Sequence, residues 1–150
     1  MSEQRDEHVH EHSYQQYSLE CSTKHSNPAI FSETHRLVFL EKVNSEKLQK
    51  SLTQWVEEIR DWTNDNAYLV GHIKVFVEGK ESLWLSSTGR SINIKHSQGW
   101  NEWSANRVTL SLTAIIFGTS KEALREVAQE SIKRVYREYG DLWSLRNTLD

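Results

Sequence analysis

Apolar residues recur along this chain in two rhythms. Leu48, Leu52, Trp55, Ile59 and Trp62 follow one another at steps of 4, 3, 4 and 3, which places one apolar stripe on a helix. Asn44 stands where an N-cap belongs, Val43 and Leu48 flank it as a hydrophobic staple, and Asn64-Asp65-Asn66 ends the run. Downstream the period falls to two. Leu69, Gly71, Ile73, Val75 and Val77 alternate with Val70, His72, Lys74 and Phe76, predicting a strand. Glu78-Gly79-Lys80 turns it into a second strand at Ser82–Ser86, which Thr88-Gly89 breaks. Ser91–His96 resumes that strand or pairs separately. The cleanest alternation is Val108, Leu110, Leu112, Ala114 and Ile116. Thr119-Ser120-Lys121-Glu122 reads as a capping box that opens a second helix, with Leu124, Val127, Ala128, Ile132, Val135 and Tyr139 inward and an end near Gly140. Before the first helix, Leu37–Leu40 suits a buried strand, Asn27-Pro28 marks a turn, and Tyr17–Ser22 alternates as an edge strand would.

Strand, helix, three or four strands, helix is the order of an α+β two-layer sandwich. The expected architecture is ferredoxin-like, one mostly antiparallel sheet of 4–5 strands with two helices packed on one face. The final strand of such an arrangement is missing from the pattern unless the N-terminal segment or a partner chain supplies it. Period-two counting puts Tyr68, Val70, His72, Lys74, Phe76, Trp84, Ser86, Thr109, Ser111, Thr113 and Ile115 on the helix-free face. Gly71 then falls on the helix side, where it would let Trp55 or Trp62 approach the strand. The helix-free face is too apolar for an ordinary wet surface, which makes a homodimer closed through it the leading expectation.

Composition narrows the classes. The 150 residues hold one Cys, which excludes an intramolecular disulfide framework and most zinc ribbons. A formal charge of −3 and a pI near 6.2 argue against nucleic acid as a partner. Nothing approaches the ~18 apolar residues of a membrane span, and Met1 opens onto polar sequence. A soluble, cytoplasmic protein without a membrane partner is expected. The charge is uneven: residues 1–35 hold six acids, two bases and five of the seven histidines, whereas the remainder is nearly balanced. Residues 1–16, polar and His-rich, read as a disordered acidic tail, and 17–150 as a single α+β domain.

His8-Val9-His10-Glu11-His12 is the sharpest chemical feature. Three imidazoles at alternate positions can wrap one divalent ion, with Glu7 and Glu11 adding oxygen donors, and imidazole suits Zn²⁺, Ni²⁺ or Co²⁺. In composition the cluster resembles the His-rich stretches of metal-delivery GTPases and metal transporters. No Walker A sequence is present, so the resemblance implies metal acquisition or presentation to a recipient protein, not GTP hydrolysis by this chain. Cys21, His25, His35, His72 and His96 form a second, dispersed set of possible ligands. Ser86–Ser91 offers hydroxyls, a Gly and Arg90 as a possible anion cradle, or a simple turn between strands. Trp100 and Trp103 lie in a polar loop, where they either rim a pocket or fold back as a lid.

No nucleophile elbow, His-Glu-x-x-His or Gly-rich dinucleotide loop occurs, and Glu57, Glu58 and Asp61 are placed on the outward side of the first helix. The sequence thus supports no catalytic residue. Its first reading is a non-catalytic binding or accessory domain that handles a transition metal through His8, His10 and His12. The alternative is a small dimeric enzyme or ligand-sensing domain with a pocket on the open sheet face, its candidates His72, Lys74, Phe76, Trp84, Ser86 and Arg90.

Overall fold

The computed structural model describes residues 27–138 and the backbone of 143–147. In chain order these form β1 (Ala29–Asn44), α1 (Ser45–Asp65), β2 (Leu69–Glu78), β3 (Ser82–Ser87), β4 (Ile92–His96), a 3-10 turn (Trp100–Glu102), β5 (Ser104–Phe117), α2 (Lys121–Arg137) and β6 (Trp143–Asn147). The strands make one sheet in the order β4-β3-β2-β5-β1-β6, every neighbouring pair antiparallel. Both helices pack on one face, giving the α+β two-layer sandwich read from the sequence. Strands β6-β1-β5-β2 follow the ferredoxin-like order, and the β3–β4 hairpin is inserted between β2 and β5 to widen the sheet beyond β2. Six strands exceed the expected 4–5. The missing final strand is β6, from the C-terminal end, rather than an N-terminal segment or partner; five residues are too few for period-two counting to find. The expected tail (1–16), the expected strand at Tyr17–Ser22 and Tyr139 lie outside the described residues.

β1 runs for 16 residues, far beyond Leu37–Leu40. Its alternation is regular from Ala29 to Phe39, but two inward positions there are polar, Glu33 and His35, and these conceal the strand from an apolar count. At its end Asn44 caps α1 as expected: its side-chain oxygen accepts from the backbone N–H of Glu46 (2.8 Å) and Lys47 (3.2 Å), two donors that have no partner inside the helix. Val43 and Leu48 are both buried, consistent with the staple. Leu48, Leu52, Trp55 and Ile59 enter the core, while Trp62 is half-buried with its ring 5.3 Å from Tyr68. Trp55 joins the two helices, its indole N–H donating to the Ala128 carbonyl at 3.1 Å.

Two local expectations are displaced by one residue. The cap of α2 is Ser120, whose Oγ accepts from the Ala123 N–H at 3.0 Å. Starting one residue later than Thr119, the helix has Ala123 at the position a capping box fills with a carboxylate, so Glu122 cannot complete one. In β2 the register against β5 slips between Val70↔Ile116 and His72↔Ile115, a bulge at Gly71. The extra residue reverses the phase of everything before it. Tyr68 and Val70 therefore pack against the core rather than standing on the open face. Gly71 does not admit a tryptophan of α1 either: a Cβ there would lie 3.0 Å from the Phe117 ring and 3.1 Å from the Ile115 carbonyl.

Candidate functional site

Beyond the bulge, alternation puts His72, Lys74 and Phe76 on the helix-free side, and strand pairing sets their neighbours. Phe76 lies between Trp84 of β3 and Ser111 of β5; Lys74 lies between Ser86 and Thr113. On the far side of β3, Trp84 faces Lys95 and Ser86 faces Asn93. The Phe76 and Trp84 rings stack with centroids 5.4 Å apart and planes 21° apart, and Trp84 leaves 45% of its surface exposed. Above them opens a cleft of about 670 Å³, to which Lys74, Ser86, Asn93, Ile94 and Lys95 also contribute. An aromatic shelf offers dispersion and a π face, two ammonium groups supply positive charge, and Ser86 and Asn93 supply directional hydrogen bonding. Among the described residues no carboxylate lines this cleft. Such a lining favours a flat body carrying negative charge.

Lys74, Phe76, Trp84 and Ser86 are thus brought together; His72 and Arg90 are not part of the lining. His72 is half-buried opposite Ile115, and burial, together with the Lys74 charge, holds its imidazole below the usual range and hence neutral at pH 7. Arg90 is exposed in the β3–β4 turn, where its carbonyl accepts from Arg60 Nη1 at 3.0 Å. That segment is a hairpin turn and not an anion cradle: Gly89 sits at φ +119°, and its N–H donates to the Ser87 hydroxyl.

The two-tryptophan loop is a lid on the core. Trp100 is fully buried, its indole N–H donating to Gln49 Oε1 at 2.9 Å and its carbonyl accepting from the Ser45 hydroxyl at 2.5 Å. The Trp103 ring lies 5.5 Å from that of Trp100, and its carbonyl accepts from the Ser45 N–H. Glu81 fastens the loop, accepting from the Ser97 hydroxyl (2.6 Å) and the Gly99 N–H (3.1 Å). The segment returns the chain from edge strand β4 to central strand β5, and the indoles close that end of the layer between α1 and the sheet.

His8, His10 and His12, with Cys21 and His25, lie outside the described residues. The remaining histidines do not converge. His35 faces the helices, His72 the open side, and His96 stands exposed at the end of β4 with Nδ1 2.9 Å from the Ser97 carbonyl. Among the described residues no group of three or more His, Cys, Asp and Glu side chains is placed to hold a metal ion.

Two polar clusters escaped the sequence reading. Beneath α2, Gln129 Nε2 donates to Glu33 Oε2 (2.6 Å), Glu33 Oε1 lies 2.9 Å from His35 Nε2, and His35 Nδ1 lies 2.6 Å from the Tyr136 hydroxyl. One arrangement of ring roles satisfies the whole chain of bonds: Nε2–H donates to the carboxylate and Nδ1 accepts from the tyrosine hydroxyl. The signal was the i, i+2 spacing of Glu33 and His35 in phase with Phe31 and Leu37. Between the helices, Glu58 is not on the outward side as expected but accepts from Ser131 (2.6 Å), Arg134 (2.6 Å) and Gln54 (3.0 Å). Burial pushes its carboxyl upward, but the hydrogen bonds from Ser131, Gln54 and Arg134 and the Arg134 charge outweigh it and hold the group below its ordinary range.

No protein-family model matches the chain, and neither does any curated protein. Among solved structures it is similar to the Zn(II)-bound YjiA GTPase from E. coli, at 12% identity and a TM-score of 0.34 over 68% of this chain. It is also similar to a Zn(II)-bound triple mutant of the YjiA GTPase, at 11% identity and a TM-score of 0.35. In both cases it spans 29% of the other chain. No helix among the described residues is long and apolar enough to cross a membrane.

Proposed function

We propose that the domain is a binding module whose working surface is the open-face cleft, and that its ligand is a small planar organic anion, an aromatic carboxylate or phosphate. One observation carries this reading: the stacked Phe76–Trp84 pair is flanked by Lys74 and Lys95 in a cleft that no carboxylate among the described residues lines. The aromatic body of the ligand lies against Trp84, its anionic group meets the lysines, and Ser86 and Asn93 orient it. These are groups for holding a ligand, and no chemical step is assigned to them. The test is a titration of the full chain with 1-naphthyl phosphate, followed through the backbone amide resonances of Ser86 and Asn93. Saturable binding that weakens at least ~10-fold in Trp84→Ala and in Lys74→Ala supports the reading, since tenfold corresponds to ~1.4 kcal/mol. Shifts that persist unchanged in Trp84→Ala overturn it.

A second reading rests on spacing alone: His8, His10 and His12, with Glu7 and Glu11, take up Zn²⁺, Ni²⁺ or Co²⁺ and present it to a recipient protein. Calorimetric titration of the full chain beside the triple variant H8A/H10A/H12A decides it. Sub-micromolar binding lost in the variant supports metal handling, and equal affinity in both removes these residues from the site.

A further inference from the structure

The positive charge of the open face extends well beyond the cleft. Strand pairing sets Ser111, Phe76 and Trp84 in one row across the sheet, and Arg36, Thr109 and Glu78 in the next. Arg107 stands two residues before Thr109 on the same side of β5, opposite Val38, and is therefore a diagonal neighbour of Arg36. Such neighbours lie ~7–8 Å apart, so two long guanidinium side chains can share one oxyanion. Both arginines border a second cavity of about 550 Å³ at this end of the face. Arg36, Lys74, Lys95 and Arg107 are all exposed, and among the described residues none of the four is in an ion pair. Glu78 is the one exposed acid that pairing places on this face among the described residues. The formal charge of −3 sums the whole chain and so does not report on this surface.

From Trp84 to Ser111 is two strand spacings, ~10 Å, and from Ser111 to Arg107 four residues, ~14 Å, so the aromatic shelf and the arginines are ~17 Å apart. The half-buried Ser111 and Thr109 lie along that path. A small planar anion seated on Trp84 leaves the arginines unused, whereas a polymer that alternates flat rings with phosphates serves both ends. We propose that the open face binds a short single-stranded nucleic acid. One base stacks on Trp84 with its phosphate at Lys74 and Lys95, the backbone crosses Ser111 and Thr109, and a later phosphate is held between Arg36 and Arg107. A single strand is required because a base stacks on an indole only when its own face is free. About four nucleotides cover the distance, the low end of single-strand site sizes. This reading rests on the cleft being a ligand site and names the class of ligand that also engages the arginines.

The probe is single-stranded tetra-adenylate RNA with a terminal phosphate, titrated into the full chain beside 1-naphthyl phosphate. Backbone amides of Ser86 and Asn93 report the cleft, and those of Arg107 and Thr109 report the far end. The expected result is that tetra-adenylate shifts both pairs together and binds several-fold more tightly than 1-naphthyl phosphate. Arg36→Gln/Arg107→Gln should remove that advantage and leave 1-naphthyl phosphate binding unchanged, with the α1 amides in place as the check on folding. It should also reduce the slope of log affinity against log salt by ~1.4, at ~0.7 per phosphate contact. Shifts confined to Ser86 and Asn93 overturn the proposal, as does equal affinity of the parent chain and the variant for tetra-adenylate. Tetraglutamate shifting all four amides as strongly also overturns it, since the face would then be a seat for acidic protein segments. So do shifts that follow protein concentration without any probe, which would mean that a second copy covers the face. If 1-naphthyl phosphate binds and tetra-adenylate does not, the proposal falls and the cleft reading stands. If only tetra-adenylate binds, with shifts at both ends, the strand is the ligand and the small-molecule reading falls. Binding of neither removes both.

Discussion

On the helix-covered side of the sheet, Glu33 and His35 are buried with Gln129 and Tyr136 as partners, and Trp55 is wholly enclosed with its N–H bonded. Between the helices above it, Ser131 gives its hydroxyl to Glu58. On the other side of the same strands, Trp84 and Ile30 leave about half their surface to water, and lysines stand beside stacked rings. One β alternation produces both faces, yet they do different work. The covered face has its polar groups matched and its volume filled, which serves stability. The open face keeps apolar area and charge in contact with water, and the proposed ligand site depends on that surface.

The strongest way to break this comparison is to exchange tryptophans across the sheet. Trp55→Ala empties a fully buried site and is expected to cost ~3–5 kcal/mol of unfolding free energy. Trp84→Ala loses chiefly a stacked ring pair, ~0.5–1.5 kcal/mol. Urea unfolding of both variants measures the gap; equal losses would mean that the open face is core and not a site. Next in size is Tyr136→Phe, which leaves His35 Nδ1 buried without its hydroxyl partner, for an expected loss of ~1–3 kcal/mol. The same denaturation experiment, with Tyr14→Phe as a control for hydroxyl loss elsewhere, shows whether the buried network is as tightly matched as its distances imply.

Smaller effects sharpen the contrast through pH. Glu58 is held below its ordinary value of 4.5, so the unfolded chain binds its proton first as the solution is acidified. Its contribution is complete above that value and disappears as pH falls through the lower folded pKa. Glu58→Gln should therefore flatten the stability profile below about pH 4.5, with little change in slope at neutrality. The slightest expected effect lies on the open face. Burial and Lys74 depress His72, so any stability this residue contributes is present above 6.5 and declines as pH falls through its lower folded pKa. Lys74→Ala removes one of the two causes, and the His72 ring resonances should titrate closer to 6.5 in that variant. An unmoved titration would mean that burial alone sets it and that Lys74 points elsewhere.

Much of this was legible in the residue pattern, and the failures have local causes. The α1 stripe with its Asn44 cap and the β5 alternation depend on contacts between residues near in sequence or on one burial period, which the chain displays directly. Glu33 and His35 hid the first half of β1 because a polar pair can stand in a core only when partners about a hundred residues away, Gln129 and Tyr136, complete it. The bulge at Gly71 misplaced Tyr68 and Val70 because one inserted residue reverses phase without changing composition. Whether Trp100 was lid or pocket rim turned on Ser45 and Gln49, over fifty residues before it.

The sequence by itself determined the two-layer α+β architecture, the chief helices and strands, and which side of β2 and β3 carries Lys74, Phe76, Trp84 and Ser86, because periodicity is a local property of the backbone. Only the tertiary structure decided that β6 closes the ferredoxin-like order, that β4 brings Asn93, Ile94 and Lys95 to complete the cleft, and that His72 and Arg90 stand apart from it. Those outcomes depend on strand order and register, which are fixed by long-range pairing and packing that no single segment encodes.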